Sequence, residues 1–425
     1  MERMRWTVAY GFFLLLIAVK AVPPKFLSVT APDSSPVNVD FLTESPKAAK
    51  STGCTGEQQQ QTQTDVSSDF SLAPGVRVNQ LTSSGTHNWN TYADLPAYSP
   101  AANVVAYNSG NNPARVAIAN LDGTDARVIS GSRQGTQVQV TIDGKYAYFQ
   151  GQNSDNTADI YAVALTRSGS CEPVRLTERK MRFVPPVWAL VISNSGIDRA
   201  THKNVIAYSD GKILHRVFED GKSLEDLTLG DPENENVFHR MRLNPVFANI
   251  LCYKRDAPMP NPNGAAQSEI WVVDLNNPSK VYSVTGKIPA DHMSWSTDGT
   301  KLGYIYGGQW HVATVLNADG TFAQTNGEFS LHLVGPSFST GLTVNYCNLS
   351  PDGFVYVCVK GPSAIYLMSL DGARVKPLAN PGATGRIFNG IPKPEFLDMQ
   401  HILFSSDRSG TVQLYVVTGF TTTLP

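Results

Sequence analysis

The chain has 425 residues, 41% of them hydrophobic and 16% charged, which is too apolar and too sparsely charged for a disordered protein. Thirty-four Lys and Arg stand against 36 Asp and Glu, a formal net charge of -2. No global field therefore favours nucleic acid or an anionic membrane surface, and a polyanionic ligand needs a local basic patch.

Residues 1–21 open with a positively flanked segment, Met1 to Trp6, followed by an apolar stretch from Val8 to Val19 and a small-residue cleavage pattern at Val19-Lys20-Ala21. This predicts a secretory signal and a secreted or extracytoplasmic protein. The stretch is shorter than the roughly 20 residues of a membrane-spanning helix, and a membrane is expected as a partner only in the alternative that the segment stays uncleaved as an anchor. Residues 22–75 are rich in Pro, Ser, Thr and Gln, include Gln58-Gln59-Gln60-Gln61 and hold no period, the pattern of a flexible linker.

From Val76 to the end, short β-branched and aromatic runs alternate with turn signals, and Asp-Gly recurs at 122, 143, 210, 220, 298, 319, 352 and 371. That dipeptide supplies the positive φ angles of tight hairpins, so the pattern predicts an antiparallel all-β meander. The clearest unit runs from Met293-Ser294-Trp295-Ser296-Thr297-Asp298-Gly299 through strands near Lys301 to Tyr306 and His311 to Leu316 to Asp319-Gly320. Copies start at Ala97-Tyr98-Ser99-Pro100 and Leu349-Ser350-Pro351-Asp352-Gly353. Looser ones start near Val138, Val187, Met241 and Pro394. A spacing of roughly 40 to 50 residues predicts a seven-bladed β-propeller of four-stranded antiparallel blades over residues 76–425. The run Val76 to Thr82 reads as a final strand without a blade of its own, and is expected to complete the last blade.

The five cysteines fit neither a zinc site nor a disulfide framework, and Cys252 and Cys358, inside apolar runs, are expected as buried small hydrophobes. Trp188, Trp271, Trp295 and Trp310 fall where apolar side chains pack between sheets. Trp89, in a polar stretch before the first blade, is the better candidate for a ligand contact. Asn348-Leu349-Ser350 is a glycosylation sequon, but an inner-strand position argues against modification. No phosphate-cradling glycine motif and no Gly-x-Ser-x-Gly elbow is present.

The Trp295-Ser296-Thr297-Asp298-Gly299 type of repeat resembles that of TolB-like propellers. Three local motifs resemble, in order, the oligogalacturonate lyase family: Phe238-His239-Arg240-Met241-Arg242-Leu243-Asn244-Pro245, Asp291-His292-Met293-Ser294-Trp295 and Phe404-Ser405-Ser406-Asp407-Arg408. The resemblance implies β-elimination of 4-linked uronates, with His239 as the base that removes the C5 proton and His292 as a metal ligand. The family's remaining ligands form a Gln-x-x-His-x-His cluster before a Ser-Pro-Asp-Gly turn, and here those positions read Thr343, Tyr346 and Asn348. One histidine and an amide hold a transition metal poorly, so the manganese-type site is expected to be lost, with no metal and no other cofactor. Arg240, Arg242, Lys254 and Arg255 surround His239 in sequence, and a guanidinium grips a carboxylate in bidentate fashion. Simple alternation along the strand would put Arg240 and Arg242 on one face.

The expected site is thus His239 as base, with Arg240, Arg242, His292 and Asn348 contacting an acidic oligosaccharide. The bland alternatives are a hydrogen-bonded strand-start histidine at 239, a structural histidine at 292 and a solvated arginine pair. His87, His202, His215, His311, His332 and His401 occupy no metal or catalytic spacing. The functional alternative to a lyase is a non-catalytic TolB-like scaffold that binds glycan or protein, because propellers carry unrelated functions on one architecture.

Overall fold

The structure is a computed structural model. It describes residues 64–70, 72–83, 85–90, 97–110, 114–141, 143–165, 172–178, 181–182, 193–197, 203–209, 213–227, 238–260, 266–286, 290–296, 298–306, 309–325, 327–334, 344–360, 364–370, 374–385 and 392–424. The backbone alone is described at 181–182, 193–197, 209, 238–240, 255–260, 266–268, 291–292, 306, 309, 331–334, 344–345 and 360. The expected signal segment and most of the expected linker lie outside the described residues. No helix among the described residues is long and apolar enough to cross a membrane.

The described chain from Thr64 onward is an all-β propeller, and its one helical element is a 3-10 turn at Ser67–Asp69. Successive antiparallel sheets follow one another along the chain, most of them in sequence order, while the last takes its outer strands from the N-terminal segment. The first has an inner strand in two pieces, Asn88–Trp89 and Tyr98–Ser99, both paired with Val104–Ser109. The inner strands of the next five are Gly135–Val140, Ser193–Ile197, Phe238–Leu243, Asp291–Trp295 and Val344–Leu349, and that of the last is Glu395–Phe396. Six sheets carry four or more strands, whereas the third has only Ser193–Ile197, Asn204–Ser209 and Leu214–Phe218. The expectation of seven four-stranded blades is therefore corrected to six complete blades. In the third sheet the chain after Phe218 turns back through Phe218 N to Lys222 O and meets the outer strand at isolated bridges, Val217 with Ser223 and Leu214 with Leu227, instead of forming a ladder.

The repeat has a physical basis in two polar devices. At the first turn of a blade the Ser296 hydroxyl donates to Asp298 Oδ1 (2.5 Å) and accepts from Lys301 N (2.9 Å), and Ser350 does the same with Asp352 and Val355 N. Gly299 and Gly353 follow at φ 71° and 73°, which is why Ser-x-Asp-Gly marks the blade. At the end of the outer strand a hydroxyl accepts from the third strand: Thr82 from Leu414 N, Ser130 from Val116 N, Thr177 from Ile160 N and Thr285 from Ile270 N, all at 3.0 to 3.1 Å. An apolar-Thr/Ser dipeptide precedes each of these contacts in the chain, a signal the sequence reading did not use.

Alternation along the strands builds the core between sheets. In the second sheet Ala147 and Phe149 pack with Val104, Ala106 and Ile118 of the first, and Tyr148 with Ile160 packs on Ile206 and Tyr208 of the third. Trp310 is fully buried and Trp295 is packed beside the apolar cluster of the fifth sheet, as expected for core residues. Trp89 departs from expectation: it is 8% exposed and packs with Ala114 and Val412, so it belongs to the core and not to a ligand platform.

Closure is made by the N-terminal strand, as expected. Arg77–Gln80 pairs with Gln413–Thr418 in the last sheet, Arg77 opposite Thr418 and Gln80 opposite Tyr415. The association begins earlier than residue 76, because Thr64–Asp65 adds a further strand against Gln80 and Asn79. Leu72 bridges Ala379, and Ala73 N donates to Leu378 O, on the outer strand of the neighbouring sheet. Cys252 is buried as expected, but Cys358 is not an isolated hydrophobe: it forms a disulfide with Cys347, its partner across two adjacent strands.

Candidate functional site

Inner strands of successive sheets touch around the axis, from Ser193–Ile197 through Phe238–Leu243, Asp291–Trp295 and Val344–Leu349 to Glu395–Phe396. All of them start at the same end of the propeller, so their first residues form one mouth. Five carry a register shift there, between Thr136 and Gln139, Ser193 and Gly196, His239 and Met241, Asp291 and Ser294, and Val344 and Tyr346. In each case the inner strand advances one residue more than its partner, which is a β-bulge that bends the strand and re-aims one residue. At Gln137 the bulge takes φ to 56°, a conformation that costs a non-glycine residue about 1–3 kcal/mol and persists only where its surroundings impose it.

The turn residues give a common register for this layer. Thr141, Asn244, Ser296, Ser350 and Leu397 each donate a backbone hydrogen bond that closes the first turn of a sheet. Counting four residues back from each reaches Gln137, Arg240, His292, Tyr346 and Lys393. His239 precedes Arg240 by one residue. The backbone thus brings His239, Arg240 and His292 to one end of neighbouring sheets, while their side chains lie outside the described atoms.

Arg242 and Asn348 lie two residues before the turn, one layer deeper. The Arg242 side chain is buried, its Nη1 donates to Met241 O (2.6 Å), and Trp295 Nε1 of the next sheet donates to Arg242 O (3.2 Å). The bulge lies between His239 and Met241, at Arg240 itself, so the alternation expected to carry Arg240 to the face of Arg242 is broken there. Asn348 uses its amide oxygen across the seam to the last sheet, accepting from Phe396 N at 2.9 Å. Glu395, 4% exposed, makes the corresponding contact to the first sheet by accepting from Ala97 N at 3.1 Å.

At the mouth itself, Lys393 is a residue that sequence reasoning missed. It is 8% exposed, its Nζ stands 5.8 Å from the centroid of the half-buried Tyr346 ring, and its carbonyl accepts from Asn90 Nδ2 at 2.7 Å. Pro392 and Pro394 flank it, and its register becomes visible only once the sheet is aligned. The third resembling motif is structural: both Asp407 oxygens accept from Thr384, and the Arg408 guanidinium lies 3.9 Å over the Phe70 ring.

Two positions that the resemblance would make metal ligands have other contacts: the Lys393 ammonium lies 5.8 Å from the Tyr346 ring centroid, and the Asn348 oxygen accepts from Phe396 N. Among the described residues, no three His, Cys, Asp or Glu side chains converge in a way that could hold a metal ion.

The architecture is that of a β-propeller, and it is shared with solved structures of little sequence similarity. An oligogalacturonate lyase solved in complex with manganese superposes with a TM-score of 0.60 over 87% of this chain and 98% of that one, at 16% identity. The oligogalacturonate lyase of Vibrio parahaemolyticus gives 0.58 over 85% and 98%, at 13% identity. The Cps50 (Swd1) propeller domain of Myceliophteria thermophila gives 0.55 over 81% and 100%, also at 13% identity. No family model and no curated protein sequence matches the chain.

Proposed function

We propose that this chain is an oligogalacturonate lyase-like propeller that takes acidic, uronate-containing oligosaccharides at the mouth of its axis. The observation that supports the reading is the shared register of the bulge layer, which gathers Arg240, His292 and Lys393 at the end where His239 also lies. Cations at this layer suit the carboxylate of each sugar, and His239 is the general base of the reading. It takes the C5 proton, the C5–H electron pair becomes the C4–C5 double bond, and the C4–O bond breaks with its electrons leaving on the glycosidic oxygen, which takes up a proton. Charge that develops on the carboxylate side is stabilised by protein cations, and no step is routed through a metal.

Unsaturated uronate absorbs in the ultraviolet, so incubation of the purified protein with oligogalacturonate gives the test. The expected outcome is a rising absorbance, lost in His239→Ala by at least about 100-fold. A flat trace with retained binding supports the second reading, a glycan-binding propeller without catalysis, which the engagement of Tyr346 and Asn348 in other contacts favours. Absence of both cleavage and binding removes the acidic-glycan reading. We also propose an extracytoplasmic location, supported by the leader-like sequence and by a disulfide of a kind rare in reducing compartments.

A further inference from the structure

We propose that the seam between the second and third sheets is a built-in opening of the ring, which parts ahead of the other seams and wets a polar wall running down from the mouth. The inference is independent of what the mouth binds. Alternation puts Tyr148 and Gln150, with Thr136 opposite Gln150 on the inner strand, on the face of the second sheet where Tyr148 and Ile160 pack on Ile206 and Tyr208 of the third. Asn204, two residues before Ile206, faces back across the same seam and donates from Nδ2 to Asp143 Oδ2 at 3.2 Å. Four oxygens of this seam, Thr136 Oγ1, Gln150 Oε1, the Tyr148 hydroxyl and Asn204 Oδ1, are buried with no hydrogen-bond partner among the described residues. A buried polar atom without a bond forfeits the hydration it has in open solvent, so closing this seam carries a penalty that an apolar seam escapes.

Two further features weaken the same place. Gln137 follows Thr136 in the inner strand and sits at φ 56° inside the bulge, a conformation that only its surroundings impose. The third sheet is also the least supported on its outer side, where Leu214–Phe218 is backed by isolated bridges to Ser223 and Leu227 and not by a ladder. Unbonded buried atoms occur between the fifth and sixth sheets as well, at Trp310 Nε1 and the hydroxyls of Tyr356 and Tyr366, but both of those sheets have four or more strands. Parting at a seam breaks no ladder, because each sheet keeps its own backbone bonds. The four oxygens gain water, and the mouth widens between Gly135–Val140 and Ser193–Ile197.

Thiol labelling of the full chain under native conditions tests this, with the same substitution at three buried third-strand alanines. Ala162→Cys stands opposite Tyr148 at this seam, Ala117→Cys lies between the last and first sheets, and Ala313→Cys lies between the fourth and fifth. The wild-type chain supplies the background of the native cysteines. We expect a maleimide to modify Ala162→Cys at least about 10-fold faster than either of the others. Adding Tyr148→Phe and Gln150→Leu should slow that reaction at least about 3-fold, because an apolar wall gains nothing from wetting. Equal or slower labelling of Ala162→Cys overturns the proposal, and so does a rate that the two added substitutions leave unchanged. Should Ala162→Cys not fold, Tyr148→Phe alone decides: a melting temperature at or above that of wild type supports an unbonded hydroxyl in the seam, and a fall of several degrees overturns it.

Discussion

At the scale of single residues, the seams between sheets depend on close approaches that tolerate no added atom. Asn244 donates from Nδ2 to Gly299 O (2.7 Å) while its Oδ1 accepts from Val246 N and Phe247 N, so one amide binds its own turn to the next sheet. A Cβ on Gly299 would sit 2.3 Å from Asn244 Oδ1, on a backbone at φ 71°. Gly299→Ala is therefore expected to destabilise by about 1–3 kcal/mol from backbone conformation, with loss of the seam contact in addition. A melting temperature lower by several degrees checks this, and an unchanged value would show that the turn relaxes. Asn348 belongs to the same class. The resemblance made it a candidate ligand contact, but its oxygen accepts from Phe396 N, and only the fold reveals which neighbouring strand asks for it.

At the scale of elements, the aspartates of the first and third turns couple stability to pH. Hydrogen bonds from the Thr321 hydroxyl and backbone hold Asp319 below the ordinary value of 3.8. Burial acts to raise Asp298, but bonds from Ser296 and Thr300 outweigh it and leave that carboxyl lowered as well. Depressed folded values mean that the unfolded state binds more protons, so this stabilisation is complete above about pH 5 and is lost as pH falls through the folded values. Melting temperature should decline below that point, and Asp319→Asn should flatten part of the decline; a curve for the variant parallel to wild type would contradict the assignment. These turns were legible in the sequence because Asp-Gly is a local signal. The bulges were not. A one-residue register shift at His239, Asp291 or Val344 is set by strand pairing around the axis, and no residue type announces it. That is also why the position of Lys393 was invisible: it has no ladder of its own and gains its place from the turn at Leu397 and the sheet beside it. The third sheet was over-counted for the opposite reason, since Asp220-Gly221 signals a turn but the segment after it makes only bridges.

At the scale of the molecule, the residues before Val76 looked like linker by composition, yet those from Thr64 form a clasp over the last two sheets. Phe70 packs edge-on against Phe404 and Tyr415, with ring centroids 6.1 and 5.5 Å away, and Arg408 lies on its other side. The C-terminal tail reaches the same region, where Arg374 Nη1 donates to Leu424 O and Phe420 contacts Phe396. Two segments distant in sequence therefore hold the point where the ring begins and ends. The contributions separate. Arg77–Gln80 supplies the ladder that satisfies the backbone of Gln413–Thr418, and without it that strand is an open edge. The chain from Thr64 to Ala73 supplies apolar burial and one further strand. A protein that begins at residue 74 should keep the propeller but unfold at lower temperature, and Phe70→Ala alone should reproduce most of that loss, about 3–5 kcal/mol for a buried phenylalanine. A protein that begins at residue 81 should fail to close, with faster proteolysis of the last sheet than of any other. Equal stability of the chains starting at 64 and 74 would show that the clasp is an ornament of the fold. Equal resistance of the chain starting at 81 would mean that Gln413–Thr418 finds another partner, because an unpaired ladder along the closing strand leaves the ring no means of staying shut.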